Sequence, residues 1–271
     1  RDVTKVKPGD KIAIEPAMAC HQCDQCLQGR QHTCREIRFL GCPGQAEGAL
    51  SEYIVMPEEN CFILSGNLSH DHGAISEPLA IGIYSVKKSG NIKGTRIGIL
   101  GYGPIGMSVF LAAKAMHADR IFVTDKIGER LSIASKEGAA YTGNPLKTNI
   151  VEEIRQKEPL GLDTVFECCG QQDALDQAVD LLKPGGKIMI AGIPEFDQWS
   201  LNVENTRRRE IMLQFIRRQV DCTESALEMM KSGRIDIGNM VTHRFPFART
   251  KEAFDLVSEY RDGVMKAMID F

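Results

Sequence analysis

The sequence predicts an α/β protein, a doubly wound parallel sheet with helices on both faces, preceded by a smaller β-rich unit. Three observations carry this prediction. Apolar runs such as Arg96-Ile-Gly-Ile-Leu100 and Lys187-Ile-Met-Ile-Ala191 alternate with helix-length segments, as buried parallel strands do. A glycine-rich turn follows the first of these strands and opens a helix. Before residue 80 the apolar runs are short, separated by Gly and Pro, and interrupted by a cysteine-rich stretch without periodicity.

Taken in order, Lys11–Ile14 and Ser51–Val55 read as short strands. Arg96–Leu100 reads as a strand and Pro104–His117 as a helix, followed by strand Ile121–Thr124 and helix Ile127–Gly138. Asp163–Glu167 and Lys187–Ala191 are buried strands flanking a helix over Ala174–Leu182, and Glu210–Ile216 is another strand. Helices over Thr223–Ser232 and Thr250–Tyr260 precede a closing strand within Val264–Phe271.

Composition narrows the classes of function. The chain has 271 residues, 43% hydrophobic and 25% charged, with a net charge of −3. That balance, without a basic block, argues against a nucleic-acid partner. No run approaches the ~18 apolar residues of a membrane span. The opening Arg1-Asp2-Val3 has neither methionine nor an apolar leader, so the chain is expected to start partway through a longer protein. Nine cysteines without a secretory signal point to a reducing compartment, the cytoplasm.

Four of these cysteines crowd together as Cys20-x2-Cys23-x2-Cys26-x7-Cys34. Four thiolates complete a tetrahedral Zn²⁺ shell with no open position, which makes such a site structural. Metal binding would also order a long loop that has no apolar core of its own. An iron–sulfur cluster is the rival, disfavoured by the wide last gap and the absent following proline. His21 and His32 lie within the lobe and, with four cysteines available, are expected to be solvated.

Gly101-Tyr-Gly103-Pro104-Ile105-Gly106 follows the Arg96–Leu100 strand directly. Gly101 allows the tight turn, Gly103 lets a pyrophosphate approach the backbone, and Gly106 permits close helix–strand packing. The helix start then offers free N–H groups to phosphate. Asp125, ending the next strand, suits the ribose hydroxyls of NAD and repels the 2′-phosphate of NADP. Arg130 is placed to cover the adenine.

The order of a four-cysteine lobe, Ser76-Glu77-Pro78-Leu79, then the glycine fingerprint with Asp125, resembles the zinc-containing medium-chain dehydrogenases, especially the sorbitol (polyol) branch. Val6-Lys-Pro-Gly-Asp10, Ile14-Glu15-Pro16 and Val241-Thr-His-Arg-Phe-Pro246 are also similar to that family. The resemblance implies a partial GroES-like β-rich catalytic domain over residues 1–80, a Rossmann domain over 81–239, and a return into the catalytic domain over 240–271. It implies hydride transfer between a secondary alcohol and NAD, with a catalytic zinc polarising the alcohol oxygen. Family stretches of the type Gly-x-Cys and Gly-His-Glu, which supply catalytic-zinc ligands, are not found in this sequence, so that site is expected to be incomplete here.

By the same resemblance, Glu77 is a catalytic zinc ligand or is bonded to the zinc-bound water. The residues alone read it as a carboxylate at a helix start, with Ser76 as N-cap. Cys168 and Cys169 would lie along the adenosine, Gly192 and Ile193 near the nicotinamide, and Ile216 and Arg217 against the cofactor. Arg218 would reach the substrate hydroxyls. His70-Asp-His72 is read as helix capping, Arg207–Arg209 as a solvated face, His243 as structural, and Cys42, Cys61 and Cys222 as buried thiols. A small-molecule alcohol is the expected partner, within a homodimer or homotetramer. A threonine or butanediol dehydrogenase, or a non-catalytic zinc-stabilised NAD-binding module, is the alternative.

Overall fold

The computed structural model describes residues 3–271; Arg1 and Asp2, on which the expected start of the chain rests, lie outside the described residues. The first lobe holds β1 (Ile12–Ile14), β2 (Ala17–Met18), α1 (Asp24–Leu27), β3 (Arg38–Phe39) and β4 (Cys61–Ile63). β1 pairs antiparallel with β4, and β2 with β3. Then follow α2 (His70–Ser89), β5 (Arg96–Leu100), α3 (Pro104–Ala115), β6 (Arg120–Thr124), α4 (Gly128–Lys136) and β7 (Tyr141–Gly143). The chain continues through α5 (Ile150–Lys157), β8 (Leu162–Glu167), α6 (Gln172–Leu181), β9 (Leu182–Ile190), α7 (Val203–Arg208) and β10 (Met212–Phe215). It ends with α8 (Thr223–Lys231), β11 (Val241–Pro246), α9 (Thr250–Ser258) and β12 (Lys266–Asp270).

The main sheet is six-stranded in the order β10-β9-β8-β5-β6-β7, with every pairing parallel. The chain leaves β5 toward β6 and β7 and returns on the other side as β8, so the strand order reverses beside β5. Ligands of open α/β sheets bind at such a switch point, beyond the carboxyl ends of the strands. Successive strand residues face opposite sides, as the pleat requires. Ile121 and Val123 of β6 enter one buried cluster with α2, α3 and α8, whereas Phe122 enters a second with α5 and α6. Both faces are covered, which is why these strands are continuously apolar.

Helix α2 begins earlier than the sequence suggested. Ser69 is its N-cap, and the Nδ1 of His72 accepts from the Ser69 N–H at 3.1 Å, so the His70–His72 stretch caps the helix as expected. Ser76 is therefore inside the helix, not at its cap, with Oγ donating to the Gly73 carbonyl at 2.7 Å. Glu77 likewise sits in the second turn rather than at the helix start. The helix runs on through residue 80 and packs against α3, where Gly82 lies against Ser108.

The Ser51–Val55 strand does not form. Tyr53 is 90% and Val55 96% exposed, and no described strand pairs with them. Period-two apolarity needs a partner edge, and among the described residues none pairs with this segment. Two elements unassigned from sequence, β7 and α5, complete the sheet edge and its cover. Arg209 is not merely solvated: its guanidinium donates to the carbonyls of Leu182 at 3.0 Å and Val179 at 2.6 Å.

β11 and β12 pair in parallel and return to α2. Arg244 binds Asp71 at the start of α2 and Asp270 at 2.7 Å. His243 is structural, bonding Thr242 at 2.9 Å and Asp262 at 3.1 Å. Among the described residues no helix is long and apolar enough to cross a membrane.

Candidate functional site

The cysteines separated in sequence converge in space. The Sγ atoms of Cys20, Cys23, Cys26 and Cys34 all lie within 4.8 Å of one another. Cys23 and Cys26 are 3.6 Å apart, Cys23 and Cys34 3.9 Å, and Cys20 and Cys26 4.0 Å. A tetrahedron with Zn–S of ~2.3 Å has edges of ~3.8 Å, so these three separations match those the ion needs. The local sequence builds this cage through α1, whose single turn brings Cys23 and Cys26 to one side. The N–H groups of Cys20 and Glu36 donate to the Cys34 sulfur at 3.3 and 3.4 Å, fixing its direction. Backbone N–H donation from Arg35 draws the Cys23 thiol down to about 6, while desolvation pushes Cys26 up to about 12. A bound Zn²⁺ would hold all four as thiolates, Cys26 included, and offset their mutual repulsion.

His32 is not solvated. It is buried, with Nε2 2.9 Å from the hydroxyl of Tyr84 on α2, which ties the lobe to that helix. His21 is exposed, 3.6 Å from Glu59. Cys61 and Cys222 are buried as expected, but Cys42 is only half-buried, in the loop after β3.

The second constellation lies at the carboxyl edge of the main sheet, around a cleft of 460 Å³. Gly101, Asp125, Arg130 and Cys169 line it, with Lys126, Glu195 and Tyr260. Gly101 has φ of +93°, a conformation that a side chain would strain. A Cβ on Gly106 would lie 1.9 Å from the Gly101 carbonyl oxygen, so only glycine lets α3 start against β5. Gly103 is the N-cap of α3 and Pro104 its first residue, followed by Ile105. This leaves the amides of the first turn free of helix partners. Asp125 is 9% exposed, with Oδ2 accepting from the Tyr102 N–H at 2.6 Å and Oδ1 from the Ile127 N–H at 2.8 Å. Each carboxylate oxygen retains capacity for a further donor. Arg130 donates to the Val264 carbonyl at 2.7 Å and lies 5.7 Å from the Tyr260 ring, so the end of the chain closes over this cleft.

Between these walls, the turn after β8 is shaped by Glu167. Its Oε1 accepts from the N–H groups of Cys169 at 2.8 Å and Gly170 at 2.7 Å. Cys168 is half-buried and Cys169 exposed toward the cleft, so Cys169 is a lining residue as well as a packing one. Gly192 abuts Glu167, and Ile193, 89% exposed, projects from the end of β9. The N–H of Ile216 donates to the Ile190 carbonyl at 2.8 Å, and Arg217 beyond it is exposed.

Glu77 of α2 and Arg218 after β10 each lie within reach of the other's charge. Burial pushes the Glu77 carboxyl above its ordinary value, against the opposing charges of Lys266 and Arg218, with Glu15 adding to the rise. Arg218 stacks over the Phe39 ring, 3.8 Å from its centroid, and its buried Nη1 has no partner among the described residues. Burial lowers its pKa, as does Arg217, while Cys42, Glu15 and Glu77 oppose that. A half-buried guanidinium with a free donor, with a carboxyl held toward its neutral form within reach of its charge, suits a polyhydroxylated ligand. Glu77 belongs to no described group of three or more metal ligands, so these residues alone do not complete a second metal centre.

Sequence reasoning missed Glu15, Gln219 and Thr223, which bond to one another beside Arg218. No local pattern marks them: Gln219 and Thr223 lie in the polar stretch Arg217-Arg-Gln-Val-Asp-Cys-Thr-Glu224.

Comparison with known proteins agrees with this geometry. A family model for the alcohol dehydrogenase GroES-like domain matches residues 1–66, and one for zinc-binding dehydrogenases matches residues 104–232. A sorbitol dehydrogenase of Bacillus subtilis (strain 168) is 32% identical over 268 residues, covering 98% of this chain and 76% of its own length. An L-idonate 5-dehydrogenase of Vitis vinifera is 33% identical over 262 residues, covering 94% of this chain and 71% of its own. The structure of an Escherichia coli oxidoreductase of unknown specificity superposes with a TM-score of 0.94 at 32% identity, covering 99% of this chain and 78% of that one.

Proposed function

Because the chain belongs to the zinc-binding alcohol dehydrogenase family, we propose that it transfers a hydride between a secondary alcohol of a polyol and NAD. The observation that carries this reading is the Asp125 carboxylate, held by two backbone amides at the rim of the 460 Å³ cleft. A fixed negative charge there accepts from ribose hydroxyls and repels a 2′-phosphate. The nicotinamide end then extends along Gly192 and Ile193 toward Ile216 and Arg217.

Substrate choice rests on the Glu77 and Arg218 pair, with Arg218 donating to the alcohol's neighbouring hydroxyls. A sorbitol-like chain supplies several such acceptors, which favours polyols over threonine or butanediol. Cys20, Cys23, Cys26 and Cys34 hold a structural zinc, and Glu77 is this chain's contribution to the reaction centre. The division into residues 1–80, 81–239 and 240–271 follows, with α2, capped by Ser69 and His72, joining the first two parts. β10 is a sheet edge with Met212 and Phe215 more than half exposed, which supports a homodimer or homotetramer formed by pairing this edge. Nine free thiols suit a reducing, cytoplasmic setting.

The test is cofactor preference. The wild type should show a higher kcat/KM with NAD than with NADP, and Asp125→Asn should lose about tenfold or more with NAD while the gap to NADP narrows. A wild type that prefers NADP would contradict the assignment.

A further inference from the structure

We propose that Glu15 is a positioning residue for Arg218, acting through Gln219 and Thr223 across the junction between the β-rich lobe and the cofactor domain. This rests on the reading of Arg218 as the group that meets the substrate. Glu15 stands just after β1, and its Oε1 accepts from the Ala17 N–H at 3.2 Å. Its Oε2 accepts from Thr223 Oγ1 at 2.9 Å and from Gln219 Nε2. These partners are more than 200 residues away, so the carboxylate is a bond between two parts of the molecule.

Gln219 is used at both ends. Its Nε2 also donates to Thr223 Oγ1 at 3.1 Å, and its Oε1 accepts from the Cys222 N–H at 2.9 Å. The residue is 9% exposed, so a lost partner would leave a buried amide unsatisfied. The backbone around it is unusual. Arg218 and Asp221 both adopt left-handed conformations, with φ of +50° and +54°. For residues with a side chain this is a strained conformation, and it persists only where the surroundings impose it.

The imposing contact is the Glu15 bond. With the amide of Gln219 tied to the first lobe, the turn after β10 cannot relax to the right-handed region. Arg218 is then delivered onto the Phe39 face, with its guanidinium within reach of the Glu77 charge. Phe39 belongs to β3, in the same lobe as Glu15, so a shift between lobes would break the stack and the bond together. Glu15 makes no hydrogen bond to Arg218 among the described contacts; besides the direct attraction of their charges, its bonded route to Arg218 runs through Gln219.

The experiment measures alcohol kcat and KM and the NADH Kd for the zinc-loaded protein carrying Glu15→Gln, Glu15→Asp, Arg218→Ala and Glu15→Gln with Arg218→Ala. Glu15→Gln should lower kcat/KM for the alcohol by about ten- to a hundredfold, leave the NADH Kd unchanged, and be partly rescued by Glu15→Asp. In the Arg218→Ala background it should cause no further loss, because the group it positions is gone. A loss that multiplies in that background, a parallel weakening of NADH binding, or a Glu15→Gln protein with wild-type kinetics would overturn the proposal. If Arg218→Ala alone keeps wild-type activity, the substrate-side reading of Arg218 fails and the proposal with it. An impaired Arg218→Ala with a multiplying Glu15→Gln loss sinks the positioning role alone. Should Glu15→Gln not fold, Thr223→Val carries the same comparison by removing one donor to Glu15, and Thr223→Ser should match the wild type.

Discussion

Replacing Gly82 with alanine is expected to destabilise the protein by about 2–3 kcal/mol, a large share of the margin of a folded domain. A Cβ at this position would stand 2.4 Å from the Ser108 carbonyl carbon, 2.6 Å from its oxygen and 2.7 Å from its Cβ. The nearest two of these atoms are backbone, so no rotamer change relieves the contact. Helix α2 or α3 must move, and both are packed into one buried cluster with β5. Alanine also gains about 1 kcal/mol of helix propensity over glycine, so the measured loss is net of that gain. Gly128 supplies the control. It opens α4, and a Cβ there meets nothing within 4 Å, so Gly128→Ala should be neutral or slightly stabilising. Paired urea denaturation curves check both, and a Gly82→Ala protein as stable as Gly128→Ala would refute the close crossing of α2 and α3.

Removing the zinc, or replacing Cys34 with serine, is expected to unfold the lobe between Cys20 and Cys34. This segment has little else to hold it. Its helical pieces are one turn each, and Cys26, His32 and Cys34 are its buried side chains. Structural zinc binding is worth on the order of 10 kcal/mol in small metal-dependent modules, and here that energy substitutes for a hydrophobic core. The Arg35–Asp24 ion pair at 2.5 Å is solvent-exposed and contributes little by comparison. The consequence reaches beyond the lobe, because the His32–Tyr84 bond to α2 and the Phe39 platform under Arg218 both depend on it. Chelation should therefore release zinc, expose the lobe to proteolysis between residues 20 and 40, and lower the thermal midpoint by several degrees. Release of zinc with no change in protease sensitivity would contradict this role.

How much of this could be read in the sequence depends on the range of the interactions. The main sheet was legible because β5, β6, β8 and β9 are buried on both faces and therefore continuously apolar. The fingerprint was legible because Gly101 and Gly106 answer local steric demands within one turn. The cysteine cage was legible because metal spacing is itself a sequence pattern. The start of α2 was obscured by Pro78 within the helix and by a capping box that uses His72 where Glu or Gln is usual. Ser51–Val55 misled because alternation says nothing about whether a partner edge is present. Glu15 was illegible as a functional residue for a simpler reason. Its partners Gln219 and Thr223 lie 204 and 208 positions away, and nothing local marks a carboxylate whose acceptors are filled only by folding.

The most direct measurement is the rate of NAD reduction by the zinc-loaded protein with sorbitol-like polyols, threonine and butanediol side by side, followed by the absorbance of the reduced nicotinamide. The account predicts that polyols are oxidised with the highest kcat/KM and that threonine and butanediol lag behind. A protein that binds zinc at its four cysteines and binds NAD in its cleft, yet reduces NAD with none of these alcohols, would contradict it.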